Sequence, residues 1–311
     1  MHNLRAILMI IGAMAFFTVE DMVIKHLTGY LPVGQVLLCV ALGGGTSFFL
    51  WALLRRDAIL ARQNWRPMVV LRASTEAVAS LSFVTALSRV DVSTVGAVFQ
   101  SMPLAVTMGA ALFLGEKVGW RRWAAMCVGF LGVLLIIRPG LSGFNPQVLW
   151  VLVAVVAVAT RDLMTRVIDA TVPSSVVSLQ AFLTVITAAA LTLIASGERM
   201  LPLNAPSLGL IALATTGGAI GYALIVAGMR LGDASTVTPF RYTRLVFTMI
   251  GGVLIFGERP DAMTLAGATL IILSGLYTFL RERKLARLAQ APLSQDTSHA
   301  HPEEELQTHG F

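Results

Sequence analysis

The chain has 311 residues, 56% of them hydrophobic and 13% charged, about half the charged share of an ordinary soluble domain. At a mean hydropathy of +0.77 it has too few polar residues to cover a soluble fold, which excludes a soluble enzyme, a disordered chain and a nucleic-acid binder. The net charge of +6 is read through its placement, as membrane topology, with no nucleic acid among the expected partners.

Apolar runs of about 20 residues recur with short breaks, each long enough to cross a hydrocarbon core of ~30 Å as a helix. In chain order they predict segments at 4–26, 33–54, 67–88, 93–114, 118–137, 147–168, 174–195, 207–230, 235–256 and 261–281. Backbone polar groups in lipid must be paired within the segment, so these are helices. A β-barrel would need alternating runs, which are absent. The breaks carry Pro32, Arg66-Pro67, Pro139-Gly140, Pro173, Pro202, Pro206 and Pro260, residues that start helices or turns. From Ala286 the chain is polar and aperiodic, and residues 286–311 read as a mobile tail. Ala13-Met14-Ala15 would pass as a signal-peptide cleavage site, but segment 1 has a counterpart later in the chain, which argues against cleavage.

Ten helices put both termini on one side. Fourteen basic residues fall on that side: Arg5, Arg55, Arg56, Arg62, Arg66, Lys117, Arg121, Arg122, Arg166, Arg230, Arg281, Arg283, Lys284 and Arg287. Five fall on the other: Lys25, Arg89, Arg138, Arg199 and Arg259. This asymmetry predicts cytoplasmic termini and a bacterial inner membrane as the location. Cys39 and Cys127 lie in apolar runs, and none of the histidines His2, His26, His299, His301 and His309 lies well inside one. No metal site and no cofactor are predicted.

The two halves match at a shift of 141 residues. Asp21 falls on Asp162, Lys25 on Arg166, Pro32 on Pro173, Ala73-Ser74-Thr75 on Ala214-Thr215-Thr216, and Arg89 on Arg230. One insertion makes the shift 142, aligning Ser93-Thr94-Val95 with Ser235-Thr236-Val237 and Gly115-Glu116 with Gly257-Glu258. Five helices per copy is an odd number, so the second copy is inserted upside down. The predicted fold is therefore an all-α integral membrane protein. Its ten transmembrane helices form two inverted five-helix repeats, residues 4–140 and 147–283. Inverted repeats around a midplane site are the architecture of secondary transporters.

Gly115-Glu116 and Gly257-Glu258, Asp21-x-x-x-Lys25-His26-Leu27 with Pro32-x-x-Gln35, and Thr238-Pro239-Phe240-Arg241-Tyr242-Thr243-Arg244 carry a more specific resemblance. Over about residues 4–283 the chain resembles the drug/metabolite transporter superfamily, EamA type. The resemblance implies an inner-membrane metabolite carrier with a central cavity; relatives are assigned to amino-acid export, S-adenosylmethionine uptake and riboflavin uptake. Many relatives place an aromatic and an arginine after the glutamine of segment 2, where this chain reads Leu37 to Gly45.

Charge inside a bilayer costs about 3 kcal/mol on insertion scales and faces a cavity or a partner. Glu20, Asp21, Arg72, Glu76, Arg161, Asp162, Arg241 and Arg244 lie within segments. Arg72 and Glu76 share a face of segment 3, with Glu76 near the midplane, a candidate site for a coupled proton or a substrate amine. The bland alternative is a permanent pair that glues helices. Arg241 and Arg244 share a face of segment 9 just after Pro239, candidates to hold a carboxylate or phosphate, against the alternative of snorkelling to the inner surface. Under the repeat, Gln100 lies opposite Tyr242. Tyr222, Phe240, Tyr242, Phe247 and Trp51 are candidates to stack on a ring, or interface anchors.

Asp21 with Lys25 and Asp162 with Arg166 are i,i+4 pairs near opposite mouths. They are candidate gates, weighed against simple helix-end pairing. Glu116 and Glu258 read as helix-end or loop-binding carboxylates, and the glycines of Gly43-Gly44-Gly45 and Gly217-Gly218-x-x-Gly221 as close packing. No P-loop and no nucleophile–base or metal motif is present, so neither ATP drive nor catalysis is predicted. The expectation is a secondary carrier of a small polar or amphipathic organic metabolite, amino-acid-like, vitamin-like or nucleotide-like, by alternating access around segments 1, 3, 4, 6, 8 and 9. An uptake carrier for riboflavin or S-adenosylmethionine is the alternative, and a non-transporting receptor or scaffold a remote one. The expected partners are a small-molecule substrate, the lipid bilayer and optionally a proton, in a monomer or weak homodimer.

Overall fold

A computed structural model describes residues 2–116, 118–141, 144–168, 172–231 and 237–290. Lys117, Ser235, Thr236 and the tail from residue 291 lie outside the described residues, as does the side chain of Arg230. The first repeat contains α1 (His2–Thr28), α2 (Val33–Arg55), α3 (Pro67–Arg89), α4 (Val92–Phe99), α5 (Met102–Phe113) and α6 (Trp120–Ile137). The second contains α7 (Leu149–Val167), α8 (Ser174–Ser196), α9 (Ala205–Leu231), a 3-10 turn (Thr238–Tyr242) running into α10 (Thr243–Phe256), and α11 (Ala262–Gln290). Nine stretches among the described residues are long and apolar enough to cross a membrane.

Two predicted segments are interrupted. Segment 4 is α4 plus α5, broken at Gln100-Ser101. Segment 9 is the 3-10 turn plus the 14 residues of α10. Shifted by 142, Gln100 is Tyr242, so both breaks fall at the same place in the repeat. Pro103 follows one break and Pro239 precedes the other, each removing a backbone donor. The predicted tail also begins late, because α11 continues through residues 286–290.

The helix ends follow local chemistry. Pro67 occupies the first turn of α3, where a missing N–H costs nothing. Gly115 and Gly257 adopt φ of +68° and +66° at the ends of α5 and α10. The following N–H then reaches back six residues: Glu116 donates to the Ala110 carbonyl at 3.2 Å and Glu258 to that of Gly252 at 3.0 Å. The repeated Gly-Glu is thus a glycine helix stop that swings a glutamate outward.

Packing follows the pseudo-twofold relation between the repeats. α2 lies on α8 and α6 on α11, each helix on its own counterpart, and α4 of segment 4 lies on α10 of segment 9. α1 on α9 and α3 on α7 are equivalent to one another. α6 and α11 approach through Gly132 and Gly267, where a Cβ on either residue would meet the other's carbonyl oxygen. The symmetry is broken elsewhere: α3 runs broadly along α8, whereas α2 and α9 touch over a shorter stretch. The main core joins the ends of both repeats around Leu27, Leu87, Val92, Val95, Ile136 and Val151. Toward the N-terminal end of α1, packing splits into two small clusters. One holds Ile10 and Met14 with α9 neighbours, and the other Ala105 and Val106 with α7. One core thus joins the helices at one end, and two separate clusters join them at the other.

Candidate functional site

The charged residues within the spans sort into separate groups. On α3 and α7, Arg161 Nη1 donates to both carboxylate oxygens of Glu76, at 2.9 and 3.0 Å. Its Nε and Nη2 donate to Asp162 Oδ1 at 2.9 and 2.8 Å. Arg72, expected beside Glu76, is 4.0 Å from it and donates instead to Thr165 Oγ1 at 3.1 Å. Its Nη1 is buried without a partner. Glu76 is about 14 Å along α3, roughly half the hydrocarbon thickness. Arg161, absent from the expected site, is therefore its centre. The sequence signal was a basic residue inside a span where the other repeat has Glu20.

On α1 and α10, Arg244 Nη2 donates to Asp21 Oδ2 at 2.7 Å. Its guanidinium carbon lies 5.5, 5.9 and 5.7 Å from the ring centres of Phe17, Phe83 and Phe99. The aromatic cage and the carboxylate together hold Arg244 at depth, in place of the weighed snorkelling. Asp162 is the repeat counterpart of Asp21, and the counterpart of Arg244 is Met102. Asp162 therefore turns to its own neighbour.

The two helix breaks meet. Gln100 Nε2 donates to the backbone carbonyl of Arg241 at 3.2 Å. The Arg241 side chain is exposed and engages no carboxylate among the described residues, and the charges acting on it include Asp162 and Arg161 on α7 of the same repeat. The Tyr242 hydroxyl presses on Gly275 of α11. Tyr222 stands apart, its ring 5.8 Å from Phe48, which stacks on Phe182 at 5.5 Å and tilts toward Trp51. Phe240 and Phe247 pack in the α1–α9 cluster.

The expected i,i+4 gates are not formed. Lys25 Nζ donates to the Val90 and Leu87 carbonyls at 2.5 and 3.3 Å and lies 3.8 Å from Glu258 Oε1. Glu258 in turn accepts from Val92 N at 2.6 Å, Ser93 N at 2.9 Å and Ser93 Oγ at 2.7 Å. It caps α4 of the other repeat, satisfying orphan donors at a helix start. Arg166 Nη1 lies 3.0 Å from Glu116 Oε1. Under the repeat, Lys25–Glu258 and Arg166–Glu116 are one contact seen twice. The first is enclosed, with side-chain exposures of 17% and 4%; the second is formed at the solvent-exposed surface, at 51% and 45%.

Away from the midplane, Gln35 is fully buried and clasps Leu201 with both amide atoms, at 2.7 and 2.8 Å. Outside the spans, Arg138 bonds both oxygens of Asp261, which also accepts from Thr264 N at 2.9 Å at the start of α11. Those bonds hold the Asp261 carboxyl well below the usual carboxylate range.

The EamA-like transporter family matches residues 4–138 and 145–280. An S-adenosylmethionine uptake transporter of Rickettsia felis is 30% identical over 220 residues, covering 70% of this chain and 74% of that one. A riboflavin transporter of Rhizobium johnstonii is 25% identical, covering 91% and 93%. A pseudopaline exporter, CntI, of Pseudomonas aeruginosa is 23% identical, covering 86% and 93%. A solved crystal structure superposes with a TM-score of 0.62 at 21% identity, covering 92% of this chain and 99% of its own, a likeness of fold. The chain belongs to the EamA-like transporter family and is a small-metabolite transporter, a multi-pass protein of the bacterial inner membrane.

Proposed function

We propose that the chain is a secondary carrier working by alternating access between its two repeats, residues 4–140 and 147–283, with no catalytic step. The observation that carries this reading is the doubled lock. An inverted repeat places Lys25–Glu258 at one end of the bundle and Arg166–Glu116 at the other, one enclosed and one exposed to solvent. Both contacts are formed, and their unequal burial supports a two-gate cycle in which each end is sealed to a different degree. The helix breaks at Gln100 and Tyr242 serve as the hinges, and Gln100 couples them through the Arg241 carbonyl. With the termini in the cytoplasm, as the basic residues favour, the enclosed contact lies at the outer end and the solvent-exposed one at the inner end.

The substrate is a small organic metabolite bearing an anionic group. Arg241 is the arginine of the interior set that no carboxylate engages among the described residues, so it is the group assigned to that anion. Arg244 is committed to Asp21, and Arg161 with Glu76 and Asp162 forms the opposite wall. Tyr222 and Tyr242 offer rings to an apolar body. Export and uptake both occur among the relatives. The second reading is uptake of an S-adenosylmethionine-like or riboflavin-like solute, favoured by the 30% identity to the Rickettsia protein.

Purified protein in liposomes tests the proposal. Saturable flux of a metabolite, accelerated by unlabelled solute on the opposite side, is the expected result. Flux linear in concentration with no such acceleration indicates a pore and contradicts a carrier cycle.

A further inference from the structure

Two charged side chains of the interior have no hydrogen bond or ion pair among the described residues: Arg241 and Glu20. Arg241 is assigned to the substrate above. Glu20 lies on α1, about 12 Å from its far end, and is partly exposed. Its carboxylate rests on the backbone of α9 at Gly218, where a methyl group would stand 2.8 Å from both oxygens. Lone carboxylates within a bilayer are costly and mark ion pathways.

The repeat explains why Glu20 is alone. Its counterpart under the shift of 141 is Arg161, whose partner Glu76 has Gly217 as its own counterpart. The α3–α7 interface therefore carries an arginine facing a glutamate. The equivalent α1–α9 interface carries a glutamate facing glycines. The position of the ion pair on one side is thus held by an acid without a partner among the described residues on the other.

We propose that Glu20 is the proton-carrying residue of the transport cycle. Its carboxylate takes one proton from the aqueous side to which the carrier is open and releases it to the opposite side after the locks exchange. This rests on the alternating-access reading and adds the coupling ion and its site, moving both away from Glu76. Glu76 is engaged by Arg161 through both carboxylate oxygens, whereas the Glu20 carboxylate has no such partner among the described residues.

The surroundings give the proton something to do. The charges acting on Glu20 are Asp21 beside it and Arg244 from α10. From the other helices packed on α1, α9 carries Tyr222 and, at its far end, Arg230. The 3-10 turn carries Arg241 and Tyr242, and α3 carries Arg72 and Glu76, with Arg89 at its far end. α2 carries Arg55 at its far end, and α4 carries no charged residue. An ionised Glu20 competes with Asp21 for Arg244; a protonated one leaves Arg244 wholly to Asp21. That contact joins α1 to α10, the two helices that end in Lys25 and Gly257-Glu258. Protonation at Glu20 thus tightens the same helix pair that carries the enclosed lock.

The test uses the full chain in liposomes with radiolabelled S-adenosylmethionine, riboflavin and amino acids as probes. An imposed pH gradient is expected to stimulate wild-type flux. Glu20→Gln is expected to keep solute exchange and lose that stimulation entirely, and Glu20→Asp to recover part of it. Stimulation of Glu20→Gln equal to wild type overturns the proposal, as does wild-type flux indifferent to the gradient. A second readout is independent of cargo and of the variants' folding. A hydrophobic carbodiimide, which reacts with protonated carboxyls in lipid, is expected to modify wild-type Glu20, the rate falling as pH rises. Labelling at Glu76 or Asp21 with none at Glu20 overturns the assignment. If no probe moves through the wild-type protein, the transport reading fails for those solutes, and the labelling pattern still decides the role of Glu20.

Discussion

Arg241 lies in the ninth span and Glu258 just beyond its end, and their surroundings give them opposite tasks. Arg241 is exposed and engages no carboxylate among the described residues, which is why the proposal gives its charge to the substrate. Arg241→Ala is expected to raise the KM for a carboxylate-bearing substrate about tenfold or more, the loss of one charge-assisted hydrogen bond of about 1.5–3 kcal/mol. A smaller change in kcat is expected, and an unchanged KM removes Arg241 from the site. Glu258 is buried and accepts three hydrogen bonds. Glu258→Gln keeps the shape, loses the charge facing Lys25, and weakens the cap on α4 by about 1 kcal/mol. The expected outcome is a lower melting temperature and faster solvent access at that end, read by thiol labelling of a cysteine placed at Val90. Asp261 illustrates the pH sign. Its folded carboxyl is held low by Arg138, so its contribution is complete above the unfolded value of about 3.9 and lost only as pH falls through the lowered one. Stability measured by thermal shift is therefore expected to show no titration from Asp261 between pH 8 and 5, and Asp261→Asn to lower it equally across that range.

At the scale of elements, the Gly-Glu stops and the helix breaks differ in how far the sequence reveals them. Gly115 and Gly257 are legible because a left-handed φ selects glycine, and the structure places both at that φ. Gly257→Ala is expected to cost about 1 kcal/mol from the αL backbone alone. The breaks were hidden, because α4–α5 and the turn before α10 read as continuous apolar runs of helical length. Pro239 hinted at one, yet Pro103 lies beyond the other. Pro239→Ala restores a backbone donor and is expected to stiffen the hinge, lowering kcat with KM unchanged, as measured by initial flux over a concentration series. The ion pairs were half legible. Helical spacing says that Asp21 and Lys25 share a face, and nothing in that spacing says which helix faces them. Each therefore finds its partner on α10 or beyond its end: Asp21 with Arg244, and Lys25 with Glu258.

For the whole molecule, composition was sufficient for the solvent and the duplication for the architecture, because both are properties of long stretches. What the duplication hid was its own inequality. Asp21 has an arginine on the opposite repeat where Asp162 has Met102, and Glu76 has Arg161 where Gly217 has Glu20. Function in a symmetric scaffold resides in these replacements, visible only once the contacts are known. The central claim is that the two equivalent locks close in turn, and disulfide trapping tests it most directly. In a background with Cys39 and Cys127 replaced by serine, Lys25→Cys with Glu258→Cys, and separately Arg166→Cys with Glu116→Cys, are oxidised in liposomes and assayed for flux before and after reduction. Each cross-link alone is expected to abolish transport, reduction to restore it, and the two trapped forms to expose opposite ends to a membrane-impermeant thiol reagent. Undiminished flux with either cross-link closed, or the same end exposed in both, would contradict the account.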